Sequence, residues 1–124
     1  MKNRYLNYFI IQDKNQKIIL EKRKEKDIWQ NLFQFPLIES PRLEYEKEEL
    51  LFQIKIKYNF KVKFDKLELW NSAPQIHKLS HQKLYIHFWI LNLNGYLQNG
   101  ISVDDSKDLA MPIVIQNFID NFYN

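Results

Sequence analysis

The most apolar run of the chain, residues 84–93 (LYIHFWILNL), constrains the fold most strongly. Together with Lys83 it predicts one long strand at the centre of a sheet, because β-branched and aromatic residues dominate it. Residues 4–12 (RYLNYFIIQ) predict a second strand, which ends in a polar turn at residues 13–16. Residues 17–23 are predicted to be the hairpin partner of this second strand.

Two segments predict helices. Residues 44–57 begin with acidic side chains, as suits the positive end of a helix dipole, and continue with an apolar stripe. Residues 54–64 also alternate as a strand would, so periodicity alone leaves this boundary open. The family resemblance described below implies a helix that ends near residue 57 and a strand from about residue 60. A further strand is predicted over residues 65–72. Residues 111–122 predict a closing helix with proline in its first turn.

Composition limits the class of protein. The 124 residues, 45% of them hydrophobic, predict one domain with its own core and no membrane association. There is no cysteine, which excludes disulfides, zinc–thiolate sites and iron–sulfur clusters in this chain and favours a cytoplasmic location. The net charge is +3 (18 basic minus 15 acidic residues), which is compatible with an anionic partner without requiring one. The charged segment at residues 22–27 is predicted to be a solvated loop.

Residues 77–84 (HKLSHQKL) form the candidate contact site. They lie between a proline-containing turn and the central strand, where a loop carrying serine and histidine can meet a ligand. A hydrolase site at Ser80 and His81 is disfavoured because adjacent residues project apart and no G-x-S-x-G elbow is present. A zinc site from His77, His81 and His87 lacks a fourth ligand. His87 is predicted to be a packed residue of the strand.

Four motifs in order resemble the C-terminal domain of MutY-type A/G-specific adenine DNA glycosylases. They are the opening R-Y-x-x-Y strand, the segment 29–36 with Trp29, Leu32, Phe35 and Pro36, the loop H-x-L-S-H-x-x-L, and the closing L-A-M-P at residues 109–112. The resemblance covers nearly the whole chain. It implies an α+β fold, a Nudix-like α/β/α sandwich whose mixed sheet is flanked by helices at about residues 44–57 and 111–122.

The resemblance also implies a function. The parent enzymes excise adenine paired with 8-oxoguanine by flipping the adenine out of the duplex. Their catalysis belongs to an N-terminal domain that carries a 4Fe-4S cluster and is expected to be absent from this chain. Residues 1–124 are therefore expected to be a single, non-catalytic recognition domain without a cofactor. Its expected partners are duplex DNA containing 8-oxoguanine:adenine and the N-terminal glycosylase domain, in the cytoplasm at the bacterial nucleoid.

The same resemblance assigns the site residues. Leu79, Ser80 and His81 stand where the family has a Phe-Ser-His recognition turn, with Leu79 in place of the usual aromatic residue. In 8-oxoguanine N7 becomes an N–H donor and C8 gains a carbonyl, so the Ser80 hydroxyl or backbone can detect the change and His81 can probe the lesion. The flanking side chains are expected to contact the DNA backbone, and these are His77, Lys78 and Lys83.

Two alternatives remain open: a Nudix nucleotide pyrophosphohydrolase, and a non-catalytic Nudix relative that binds a nucleotide or a protein. Active Nudix hydrolases carry the box G-x5-E-x7-R-E-x-x-E-E-x-G, whose glutamates hold magnesium. Residues 35–59 contain no glycine, and Glu46-Lys47 does not supply the Arg-Glu before the acidic pair Glu48-Glu49. With Glu44, these glutamates are more simply the acidic start of a helix.

Overall fold

A computed structural model describes residues 1–42, 45–58 and 64–124 of the chain. The strands and helices, numbered in chain order, are β1 (Lys2–Gln12), β2 (Glu21–Lys22), β3 (Phe33–Gln34), β4 (Leu37–Ser40), α1 (Lys47–Tyr58), β5 (Phe64–Leu69), β6 (Gln75–Lys78), β7 (Gln82–Leu93), α2 (Val103–Ser106) and α3 (Ile113–Phe122).

One mixed sheet of five strands organises the molecule: four lie in the order β4-β1-β7-β5, and β6 also pairs with β7. Its two central strands, β1 and β7, are parallel and stay in register from Lys2 opposite Gln82 to Gln12 opposite Asn92. The other pairs are antiparallel: β4 on β1, and β5 and β6 on β7. A separate small sheet joins β2 to β3.

Helices cover both faces of this sheet, because alternate side chains of a strand point to opposite faces. On one face Leu6, Tyr8 and Ile10 of β1 join a core that includes Phe118 and Ile119 of α3. We name this the α3 face. On the other face, the α1 face, a second core combines residues of β1, β5 and β7 with α1, namely Phe9, Ile11, Leu50, Ile54, Leu67, Trp89, Leu91 and Leu93. The predicted α+β fold, with a mixed sheet between two helices, is confirmed.

The predicted hairpin over residues 17–23 forms only next to its turn, where the Asp13 amide donates to the Lys17 carbonyl at 2.9 Å and the Ile19 amide to the Ile11 carbonyl at 3.3 Å. Ile18 makes only isolated bridges, one to Gln12 and one to Ile101, and β2 pairs with β3 instead of β1. Ile18 is fully buried and donates to and accepts from the backbone of Ile101, so it has a distant partner as well as the local one. The residue pattern of the segment 17–23 contains no information about a partner as distant as Ile101.

The predicted long strands and the two main helices are confirmed, with small differences at their ends. α1 begins at Lys47 and ends at Tyr58. Residues 59–63, where a strand was expected to begin, lie outside the described residues, as does Glu44. β5 ends at Leu69, so residues 70–72 of the predicted strand are not part of it. Beyond its end, the Asn71 side chain bonds to β7, accepting from the Phe88 amide and donating to the Ile86 carbonyl. α2 was not predicted, and Pro112 is the N-cap of α3.

None of the helices in the described part of the chain is long and apolar enough to span a membrane.

Candidate nucleic-acid interface

A tight hairpin presents the candidate contact residues. Lys78 of β6 lies opposite Lys83 of β7, and the Leu79 amide donates to the Gln82 carbonyl across the turn at 2.8 Å. Ser80 and His81 therefore form the exposed tip of the hairpin. The tip is tied to the sheet because the Lys2 amide donates to the His81 carbonyl at 3.1 Å. A hydroxyl and an imidazole are thus held at the turn between two strands of the sheet.

Leu79 differs from its two neighbours in the tip. Its side chain is half-buried and packs against the core of the α3 face. This packing anchors the Leu79 side chain at the base of the turn.

The predicted backbone-contact residues lie on different faces of the hairpin. Lys78 and Lys83 are direct cross-strand partners, and Lys83 Nζ lies 5.3 Å from the centroid of the Tyr85 ring, which places the two lysines on the α1 face. His77 points to the other face, where its ring centroid lies 5.8 Å from that of Trp29. The structure therefore brings the lysines together and separates them from His77.

The loop that carries Trp29 has an unusual backbone. Trp29 has φ 59° and Asn31 has φ 70°, both in the left-handed region that bulky side chains rarely adopt. The loop is closed by hydrogen bonds from the Asn31 amide to the Arg23 carbonyl, at 2.7 Å, and from the Leu32 amide to the Trp29 carbonyl, at 3.1 Å. Such conformations persist only where the surroundings enforce them. Their effect here is to set the half-buried Trp29 ring against His77.

Two buried arginines fasten this loop to the hairpin. Arg4 donates to both carboxylate oxygens of Glu39, at 2.9 and 2.7 Å, to the side chain of Gln82 at 3.0 Å, and pairs with Asp27 at 3.1 Å. Arg23 pairs with the same Asp27 at 2.8 Å. The prediction that residues 22–27 form a solvated loop is wrong at Arg23, which is only 5% exposed because Asp27 folds back over it.

The carboxylates of this network have shifted pKa values. Burial alone would raise the pKa of Asp27, but hydrogen bonds and charge from Arg23 and Arg4 outweigh it and hold the pKa below its usual value. The hydrogen bond from Arg4 likewise keeps the pKa of Glu39 below its usual value, against the opposing effect of burial. The network is therefore charged at neutral pH and fixes Gln82, the residue next to the tip.

The hairpin lies in a segment that lacks negative charge. No aspartate or glutamate occurs between Glu68 and Asp104, whereas the same segment contains Lys78, Lys83 and all three histidines. Sequence reasoning treated the modest net charge of the whole chain as uninformative and missed this local asymmetry. Two lysines without a carboxylate in the same hairpin are compatible with an anionic partner.

His87 is packed within β7, as predicted. Its ring lies against Trp89 with centroids 6.4 Å apart, and burial lowers its pKa, opposed by a hydrogen bond to the Ser72 backbone. Within residues 1–42, 45–58 and 64–124, no group of three or more His, Asp or Glu side chains could hold a metal ion. The three histidines lie on different faces or at the tip and do not converge.

The sequence of α1 does not supply the glutamates of a Nudix box at the spacing of the box. Placing the first glutamate of the box on Glu44 puts its Arg-Glu-x-x-Glu-Glu on Phe52, Gln53, Ile56 and Lys57. Gln53, Ile56 and Lys57 line an open groove of about 460 Å³ whose one carboxylate, Glu39, is paired with Arg4. An apolar side chain and an ammonium group cannot replace the oxygen ligands that magnesium requires. The described residues do not fit the metal.

Comparison with known proteins agrees with this architecture. The similar solved structures include the C-terminal domain of mouse MUTYH in complex with human PCNA (TM-score 0.68, 13% identity, 97% of this chain and 86% of that chain). They also include the MutT protein from Methanosarcina mazei Go1 (TM-score 0.65, 11% identity, 98% of this chain and 93% of that chain) and the E. coli ORF135 protein (TM-score 0.68, 17% identity, 99% of this chain and 90% of that chain). At these identities the similarity shows the fold alone. A search of curated proteins found no match. The sequence profile of the NUDIX domain matches residues 7–121, and the chain therefore belongs to the Nudix family.

Proposed function

We propose that this chain is the lesion-recognition domain of a MutY-type A/G-specific adenine DNA glycosylase, which reads 8-oxoguanine paired with adenine in duplex DNA. The observation that carries the proposal is the exposed Ser80-His81 tip on a rigid hairpin that lacks acidic residues. The major groove of B-DNA is about 12 Å wide and admits a two-stranded β-ribbon. The β6–β7 hairpin is part of the five-stranded sheet, because β1 pairs with β7 from Gln82 onward, so in this proposal only its turn, with Ser80 and His81, approaches the groove.

The chemistry of the tip suits the lesion. A hydroxyl both donates and accepts hydrogen bonds, so Ser80 can accept from the N7–H of 8-oxoguanine or donate to its O8. Guanine has an acceptor at N7 and no O8, so a hydrogen bond accepted from N7–H or donated to O8 is available only with the lesion. His81, exposed beside it, probes the same edge, and the lysine pair supplies phosphate contacts that do not depend on sequence.

In this proposal the domain does not itself catalyse. Adenine excision belongs to the parent glycosylase, whose N-terminal domain would carry the catalytic residues and the 4Fe-4S cluster and would be the intramolecular partner. The chain would work in base excision repair in the bacterial cytoplasm. Tethering to that partner raises the effective concentration of both modules, so a weak interaction of the isolated domain is sufficient.

The proposal is tested by amide-shift NMR with a short 8-oxoguanine:adenine duplex and, as reference, the same duplex with guanine:adenine. We expect the lesion duplex to shift the amides of Leu79, Ser80 and His81 more than the reference does. The excess should shrink in Ser80→Ala and persist in Ser72→Ala, an exposed serine outside the tip. Equal shifts with both duplexes, confined to scattered lysines, would overturn the proposal.

A second assay separates the proposal from a nucleotide pyrophosphohydrolase. The domain is incubated with deoxynucleoside triphosphates and Mg²⁺, and release of pyrophosphate is measured. We expect no metal-dependent release, because Gln53, Ile56 and Lys57 occupy box positions of the magnesium ligands. Turnover that depends on Mg²⁺ and is lost in Glu48→Gln/Glu49→Gln would instead establish a hydrolase.

A further inference from the structure

A cleft of about 450 Å³ lies where the small β2–β3 sheet meets the C-terminal end of α1. We name it the Gln34 cleft, and the polar side chains that line it include Glu21, Lys22, Lys24, Glu25, Gln34 and Lys57. Ligand sites of proteins commonly occupy about 300–1,000 Å³, so the cleft can hold a small ligand.

Gln34 presents an unused hydrogen-bond donor to this cleft. The residue is only 5% exposed, and its Oε1 accepts from the Tyr8 hydroxyl at 3.0 Å. Burial raises the pKa of Tyr8, so the hydroxyl stays protonated and fixes Oε1 as the acceptor. The Nε2 group donates to no residue in the described part of the chain, and it is not sealed from solvent. An N–H donor fixed in this way is suited to an oxygen acceptor of a ligand in the cleft.

Both carboxylates that line the cleft already face a cation. Glu21 Oε1 accepts from Lys57 Nζ at 3.3 Å, and Glu25 lies 3.9 Å from the buried guanidinium of Arg23. Four basic and two acidic side chains line the cleft, and Asp27 pairs with Arg23 as a third acidic group. Basic groups therefore outnumber acidic ones at this site.

Two of the lysines remain for a ligand. Lys22 and Lys24 line the cleft and are exposed. Neither side chain forms an ion pair or a hydrogen bond with a residue in the ranges 1–42, 45–58 and 64–124. Ammonium groups bind phosphate as point charges, and the Gln34 amide adds a directional hydrogen bond. The three groups together suit the charge and the oxygen acceptors of a phosphate.

We propose that the Gln34 cleft binds a phosphate group directly, with Lys22 and Lys24 balancing its charge and Gln34 Nε2 donating to one of its oxygens. Because the lysines supply the positive charge, binding needs no divalent metal ion. The phosphate belongs either to a free small molecule or to the backbone of a nucleic acid, since both present the same acceptors. The inference is independent of the proposed lesion reading, because these residues lie outside the Ser80-His81 tip.

Isothermal titration calorimetry with inorganic pyrophosphate, at low salt and with EDTA present, tests this inference. We expect saturable binding that is at least about tenfold weaker in Lys22→Gln/Lys24→Gln, because hydrogen bonds to a charged group are lost. Lys14→Gln/Lys26→Gln is the matched control, since it removes the same charge from exposed lysines that do not line the cleft. Absence of binding, binding only when Mg²⁺ replaces EDTA, or equal losses in the two double variants would overturn the inference.

Two substitutions test the cleft from opposite directions. Gln34→Glu keeps an acceptor for the Tyr8 hydroxyl and replaces the donor with a carboxylate oxygen, so pyrophosphate should bind at least about tenfold more weakly. Glu21→Gln removes a negative charge and releases Lys57 from its ion pair, so pyrophosphate should bind more tightly. Unchanged affinity in a Gln34→Glu variant that still unfolds cooperatively in urea, or weaker binding in Glu21→Gln, would contradict the proposed site.

Competition distinguishes the two sources of the phosphate. A short undamaged duplex that displaces pyrophosphate, and that binds more weakly to Lys22→Gln/Lys24→Gln than to the control variant, would identify the nucleic-acid backbone. A duplex that leaves pyrophosphate bound would identify a free phosphate compound. Ser80→Ala should not alter pyrophosphate binding, so failure of this inference is distinguishable from failure of the proposed lesion reading.

Discussion

Arg4→Met is the substitution that most directly tests how the hairpin is held in place. The Arg4 side chain is 8% exposed and joins three elements through Glu39, Asp27 and Gln82. Methionine keeps much of its apolar volume but removes every one of these bonds. Glu39 then has no arginine partner, whereas Asp27 keeps Arg23.

The expected loss of stability in Arg4→Met depends on how exposed the two carboxylate partners of Arg4 are. Removing one member of a fully buried ion pair costs about 3–5 kcal/mol. Glu39 and Asp27 are 38% and 29% exposed, so water compensates part of the loss. We therefore expect the free energy of unfolding to fall by about 2–3 kcal/mol. This is a large share of the roughly 5–15 kcal/mol by which a domain is stable.

Urea unfolding measures this change. At an m-value of about 1.5 kcal/mol/M, the midpoint should fall by roughly 1–2 M. Lys66→Met is the matched control, because it breaks the Lys66–Glu68 pair, whose side chains are 70% and 52% exposed, and should cost less than about 0.5 kcal/mol. Arg4→Met/Glu39→Leu should be more stable than Arg4→Met, since it removes the unpaired charge as well. If Arg4→Met cost no more than Lys66→Met, the reasoning about the network would be refuted.

Three further predictions concern the fold and its pH dependence. Because the pKa values of Asp27 and Glu39 are lowered in the folded state, the stability that these carboxylates contribute is present above their ordinary pKa values and should be lost below about pH 4. Circular dichroism during acid titration measures this loss. A smaller loss in Asp27→Asn than in the unmodified chain would support the argument, and an equal loss would contradict it. Phe118→Ala should cost about 3–5 kcal/mol in urea unfolding, because the ring is 4% exposed and stacks on Phe88 at 4.3 Å; a cost below about 1 kcal/mol would contradict that packing. Asn31→Ala should lower the thermal midpoint and Asn31→Gly should not, because φ is 70°; equal effects would argue against the left-handed conformation.

The sequence alone predicts the strands and helices whose own residues form a clear apolar run or apolar stripe. β1 and β7 are continuous runs of apolar and aromatic residues, as expected for central strands covered on both faces, and α3 has a clear apolar stripe. α1 was identified despite apolar residues all round, because its acidic start and its place in the order of elements favoured a helix. Phe52 and Ile56 are 60% and 66% exposed, which explains why its periodicity also resembled a strand.

The features that sequence reasoning missed depend on distant partners. Nothing near Arg23 in the sequence indicates that Asp27 also meets Arg4, so the burial of that loop could not be predicted. The separation of His77 from the lysine pair follows from the pleat of a hairpin whose register was unknown until Lys78 was found opposite Lys83. The candidate tip was recognisable from the sequence because the serine and histidine that form it are adjacent.

The parallel pairing of β1 with β7 has a consequence for how the chain folds. Each residue of β1 meets a partner that is 80 positions further along the chain, as Gln12 and Asn92 illustrate. At a synthesis rate of about 5–20 residues per second, β1 leaves the ribosome roughly 4–16 s before the strand that completes it. During that interval its apolar side chains have no sheet partner on that side, and loop closure over such a distance slows folding. We therefore expect folding to finish only after β7 has been synthesised, with the nascent β1 in need of protection from aggregation until then.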